Sequence, residues 1–124
     1  AELLKRESAI DALTLYQEKV NKGQQAQFPT ADAVVFYQPR FNRYTEKLEG
    51  IEQYKELLEF EEQIKVESVD LPSDFSLLVS LKQELSKRYI TMANTLMKRK
   101  MYRTAEQLVE RSEAITQSLD NVLL

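Results

Sequence analysis

Apolar residues at Leu78, Leu81, Leu85, Tyr89, Met92 and Leu96 recur every three or four positions. So do Ala105, Leu108, Ile115, Leu119 and Val122, with Ser112 in the one gap. At 3.6 residues per turn this spacing gathers each set on one face of a helix. Between them lies the basic corner Lys98-Arg99-Lys100-Met101-Tyr102-Arg103. Residues 75–124 therefore read as two helices folded on each other in a C-terminal helical hairpin. The competing reading is one unbroken helix, because neither Gly nor Pro marks the corner. A helix of that length needs a sustained partner seam, and the charge changes sign at the corner, so the turn is preferred. Thr104 and Gln107 fit a capping box for the last helix, with a start nearer Met101 as the alternative.

Upstream, Leu3, Ile10, Leu13 and Val20 fit a heptad over residues 2–22, widened by Ala9, Ala12 and Tyr16. Arg6 and Gln17 occupy seam positions, which suits a bundle helix better than a long coiled coil. Gly23 supplies the helix stop, behind Lys19 and Lys22. A polar connector leads to Phe28-Pro29, and Thr30 is the candidate N-cap of a short helical piece over residues 31–37. The run Ala33-Val34-Val35-Phe36-Tyr37 has no polar member, so it should be buried on most sides or covered by a partner. Pro39 predicts a bend or break. Beyond it Phe41, Tyr44, Leu48, Ile51, Leu58 and Ile64 mark a long helix over residues 40–66, with Tyr54 and Leu57 beside the stripe. Gly50 lies inside that helix, and close approach of another helix is its favoured cause over a hinge. Residues 67–72 form the clearest loop, after which Ser73 or Asp74 can cap the next helix.

These elements add up to an all-α chain. The arrangement expected is an antiparallel helical bundle of three long helices plus one short helical piece, ending in the hairpin. Two glycines and three prolines in 124 residues leave too few turn formers for a many-stranded sheet. The length suits a single domain, here a piece of a longer protein. With 43% hydrophobic and 30% charged residues the chain has the balance of a folded one. Cysteine is absent and no apolar run approaches the length of a bilayer, which favours a cytoplasmic or nuclear setting.

The net charge of −3 conceals a division along the chain. Residues 46–74 carry ten acidic side chains against three lysines, whereas residues 75–103 carry seven basic ones against Glu84 alone. Segments of opposite sign can attract across a helix pair, each exposed ion pair contributing about 0–1 kcal/mol.

The chemistry is limited by missing atoms. Without histidine or cysteine the chain lacks Ser-His-Asp and Cys-His nucleophilic systems, ordinary zinc sites and the Glu-x-x-His ligands of di-metal bundles. Gly23 and Gly50 stand alone, so there is no glycine-rich phosphate loop. Glu52, Glu56, Glu59, Glu61 and Glu62 read as a solvated acidic face, not as catalysts or metal ligands. The expectation is no enzyme, no cofactor and no metal.

What remains is binding. The main expectation is a non-catalytic protein–protein interaction module, of adaptor or scaffold type, acting within a multi-protein assembly. Its partner would be another protein, helical in form, with self-association as the second option. Val34, Val35, Phe36 and Tyr37 are the candidate anchors. Other apolar residues off the main stripes (Phe60, Val66, Val69, Leu71) could extend the surface. The corner residues Lys98, Arg99, Lys100 and Arg103 form a second candidate site. A helix C-terminus alone favours such cations. The alternative function is a peripheral membrane or nucleic-acid binder at residues 98–103. Nucleic acid is the weaker form, since four clustered cations on an acidic chain fall short of a basic stripe.

Overall fold

The computed structural model describes residues 2–123, with side chains from Leu4 onward. It contains α1 (Glu2–Asn21), α2 (Thr30–Glu49), α3 (Tyr54–Glu67), α4 (Ser76–Lys98) and α5 (Tyr102–Leu123), with no strand among the described residues. The chain divides into two compact units, residues 1–43 and residues 44–124, and α2 crosses the division.

In the first unit the inward face of α1 is Ala9, Ala12, Leu13 and Tyr16, a run of three- and four-residue steps. Ile10 and Val20 of the expected heptad are exposed, as are Leu4 and Leu15. The Leu3 side chain lies outside the described residues. Ala9, Ala12 and Tyr16, which flank the heptad, thus form the inward face together with Leu13. Gly23 ends α1 as expected: at φ 71° it adopts the left-handed conformation. Its amide donates to the Val20 carbonyl, and the Gln24 amide donates to that of Lys19. These are the two bonds of a Schellman cap. Tyr16 meets Phe28 edge-to-face at 5.4 Å.

There is no separate short helix over residues 31–37. That segment is the first half of α2, and Pro39 lies inside the helix. Proline deprives the Val35 carbonyl of its intrahelical donor. Val35 is exposed, so water can take the place of that bond. Thr30 is the first helical residue, not the cap, since the Ala33 amide already donates to the carbonyl of Pro29.

The long helix expected over residues 40–66 is broken at Gly50–Gln53. A Cβ on Gly50 would meet only the Lys47 and Glu46 carbonyls of its own last turn, at 3.6 and 3.7 Å. No second helix presses on it, which overturns the close-approach reading. Gly50 instead ends α2, its amide shared between those two carbonyls. The break resets the helical phase: Tyr44 and Leu48 are buried before it, Ile51 within it, and Leu57, Phe60 and Ile64 after it. Leu58, expected inward, is half-buried. Across the break Tyr44 donates to Glu67 at 2.8 Å and Lys47 to Gln63 at 2.6 Å. Arg88 of α4 donates to the Ile51 carbonyl inside the break.

The C-terminal hairpin is present. Leu78, Leu81, Leu85, Tyr89, Met92 and Leu96 are all buried on α4, and Ala105, Leu108, Ser112, Ile115 and Leu119 on α5. Ser112, the gap in the pattern, meets Ser86 hydroxyl to hydroxyl at 2.7 Å, and Ser86 also reaches Thr116 at 3.2 Å. The two buried serines satisfy one another inside the interface, and Thr116 joins them from its exposed edge. Capping departs from expectation at α4, while α5 takes the alternative start next to Met101. Phe75, not Ser73 or Asp74, precedes α4, without a side-chain cap bond. Thr104 lies within α5, which starts at Tyr102.

The corner is a second Schellman cap, with Met101 donating to the Leu96 carbonyl and Lys100 to that of Met97. Lys100 holds the left-handed position at φ 64° that Gly23 holds at the end of α1. A β-carbon is disfavoured there. Lys100→Gly should therefore stabilise the chain by about 0.5–1 kcal/mol in denaturant titration. A loss of stability would mean that the Lys100 side chain makes a contact worth more than this strain.

Candidate functional site

The structure places the eight candidate residues in two groups, one in each compact unit. Val34 to Tyr37 occupy successive positions of α2, so their side chains fan around the helix. Val35 is exposed, while Val34, Phe36 and Tyr37 are half-buried. Only Ala33 of that run is fully buried. Phe36 and Tyr37 meet edge-to-face at 4.9 Å, and the Arg40 guanidinium stands over the Tyr37 ring at 5.5 Å. A cation over a ring face and an edge-to-face pair hold both aromatics in a defined pose without sealing them off.

The second group behaves differently. Lys98, Arg99, Lys100 and Arg103 are all exposed, and so are Met97, Met101 and Tyr102 beside them. The corner thus displays charge and apolar surface together. Of the remaining off-stripe residues, Phe60 and Leu71 belong to the core, whereas Val66 and Val69 are exposed.

The pattern did not disclose a polar cluster that joins three helices. Tyr89 of α4 is completely buried and donates to Glu61 of α3 at 2.6 Å. Arg111 of α5 donates to the same carboxylate through Nε at 3.0 Å and approaches it through Nη2 at 2.9 Å. Glu62 stands 3.7 Å from Arg111. Burial raises the Tyr89 phenol well above its ordinary range, and the hydrogen bond and charge of Glu61 raise it further. Burial works against the charge on Arg111, yet Glu61 outweighs it and shifts the guanidinium upward. The Tyr89 phenol, the Glu61 carboxylate and the Arg111 guanidinium thus form a clasp between α4, α3 and α5. The sequence signal was the acidic stretch, but the cation that meets it is Arg111, outside the basic segment.

Beside the clasp a half-open groove of about 440 Å³ runs between α3, α4 and α5, floored by Ile64, Leu78, Leu85 and Ile115. Glu52, Glu56, Glu59 and Glu62 are exposed, as a solvated acidic face should be, whereas Glu61 departs from it because Tyr89 and Arg111 hold it half-buried. Among the described residues no group of three acidic side chains could hold a metal ion. Nor is any helix among them long and apolar enough to cross a membrane. None of the family models, curated proteins or solved structures compared with the chain matches it.

Proposed function

We propose that this chain is a non-catalytic protein–protein interaction module of adaptor or scaffold type, its helices arranged as an antiparallel bundle, and that residues 1–43 carry the contact with a helical partner. One observation supports this reading above the others. Across the side chains described in that unit, the buried apolar residues are Ala9, Ala33 and Phe41, while Leu4, Ile10, Leu15, Val20 and Val35 are exposed. In a folded protein a helix takes most of its stability from the packing of its apolar face and little from propensity. Two alanines and one phenylalanine are the unit's only fully buried apolar side chains among the described residues, and the half-buried Leu13, Tyr16 and Phe28 add only part of the packing of a full core. A partner helix that covers part of this exposed apolar surface would add burial at about 25 cal/mol per Å². Phe36 and Tyr37, already posed and half accessible, are the anchors, because aromatic side chains carry a large share of the affinity at interfaces.

Val35→Asp tests the site, since Val35 is exposed and its replacement leaves the folded chain alone. The melting temperature should stay within about 2 °C of wild type, as for a surface substitution. A partner retained by the wild-type chain through high salt should be lost from the variant. Salt resistance separates an apolar contact from a charge-driven one. If the variant retains the same partner, residues 34–37 are not the contact.

A further inference from the structure

We infer that the α4–α5 corner is a docking tip for the surface of a membrane containing anionic phospholipid. Two positions there carry cations where helix physics favours something else. Arg103 stands in the first turn of α5, which has no acidic residue, although the positive end of the helix dipole favours acids. Lys100 holds the left-handed cap position that suits glycine. Lys98 and Arg99, at the end of α4, fit the dipole and need no other cause. The other two are placed against local preference.

Apolar exposure gives the second line of support. Met97 is 49% exposed, Met101 41% and Tyr102 60%, all within the same few residues as the cations. No ion pair among the described residues involves Lys98, Arg99, Lys100 or Arg103. Four unneutralised cations around two thioethers and a phenol match the outer layer of an anionic bilayer. There basic side chains meet phosphates, and tyrosine sits at the headgroup level with its apolar body inward. A nucleic-acid duplex would use the cations but gains nothing from Met97 and Met101, and it calls for a basic stripe instead of a tip. An acidic peptide would want a groove, and of the four cations only Arg99 lines a cavity described in this structure.

Each cation near an anionic surface strengthens binding about five-fold, so the four together contribute on the order of several hundred-fold. The tip alone thus supports reversible attachment, not permanent anchoring. None of this depends on residues 1–43.

The test is co-sedimentation of the full chain with phosphatidylcholine vesicles, with and without phosphatidylserine, near 0.15 M ionic strength, about the physiological value. Binding is expected only with phosphatidylserine and should fall steeply as salt rises. Lys98→Gln combined with Arg103→Gln should weaken it about 30-fold, two cations' worth. Val35→Asp should leave it unchanged, which separates this site from the protein contact. The chain has no cysteine, so Met101→Cys accepts a polarity-sensitive dye at the tip. A blue shift with phosphatidylserine vesicles is expected if Met101 enters the interface. Three results would overturn the assignment: no difference between the two vesicle types, binding unaffected by the double substitution, or tighter binding to duplex nucleic acid than to vesicles at the same salt.

Discussion

Leu85→Ala should destabilise the second unit by about 2–5 kcal/mol, the range for truncating a buried leucine. Leu85 is 2% exposed, in the middle of α4, and helps to floor the groove between α3, α4 and α5. Its loss removes packing from three helices at once. The groove also sets the direction of departure from the mean. A void that opens toward solvent can take water or relax, so the upper end of the range is not expected. Leu119→Ala should cost less, because Leu119 lies near the end of α5. Denaturant titration decides: a change below about 0.5 kcal/mol at Leu85 would put that residue at the surface.

Glu61→Ala has the second large effect, by a different route. It leaves the fully buried Tyr89 hydroxyl without its acceptor, a desolvation penalty of about 1–3 kcal/mol. Arg111 loses its partner too, but its side chain is 41% exposed and water can replace Glu61 there. That part is discounted toward the small value of a surface pair. A total of about 2–3 kcal/mol follows. In the Tyr89→Phe background the same substitution should cost about 1–2 kcal/mol less, since no orphaned hydroxyl remains. Additive effects would show that the hydrogen bond contributes little. The phenol also has a pH signature. Its pKa is raised in the folded chain, so the stability it confers is complete below the ordinary tyrosine value of about 10. Above that value the unfolded chain releases the proton first and stability falls. Tyr89→Phe should remove this part of the alkaline loss.

The hairpin was legible because its burial is one-sided and its period unbroken from Leu78 to Leu96 and from Ala105 to Leu119. The segment before it was not, for separate physical reasons. Pro39 reads as a breaker, yet a proline beside a solvated carbonyl can stay inside a helix, and solvation is invisible in a linear pattern. Gly50 shows the opposite error. The apolar spacing runs through it so smoothly that the break and its change of phase leave no trace, and Leu57 and Leu58 exchange roles. In α1 the largest apolar residues drew the stripe to Ile10 and Val20, whereas the buried face is built on Ala9. The candidate contact residues stand out in the sequence as an apolar run and a basic corner. The clasp does not, because Glu61, Tyr89 and Arg111 are spread over 50 positions and meet only in three dimensions.

Lys100 also bears on topology. Return its backbone to the right-handed region and α4 would run into α5 as one helix of about 48 residues, roughly 72 Å long. Two copies opened in this way could exchange α5 arms. Ser86 of one copy would then meet Ser112 of the other, with every contact of the hairpin kept except the corner itself. Exchange of this kind costs little, because the interface is the same in both forms. The left-handed lysine tilts the balance toward opening, and dilution tilts it back. Glycine at position 100 would oppose exchange twice, by relaxing the closed corner and by weakening the continuous helix by about 1 kcal/mol. The backbone conformation of one residue, placed against its local preference, would thus separate a self-contained hairpin from an interlocked pair.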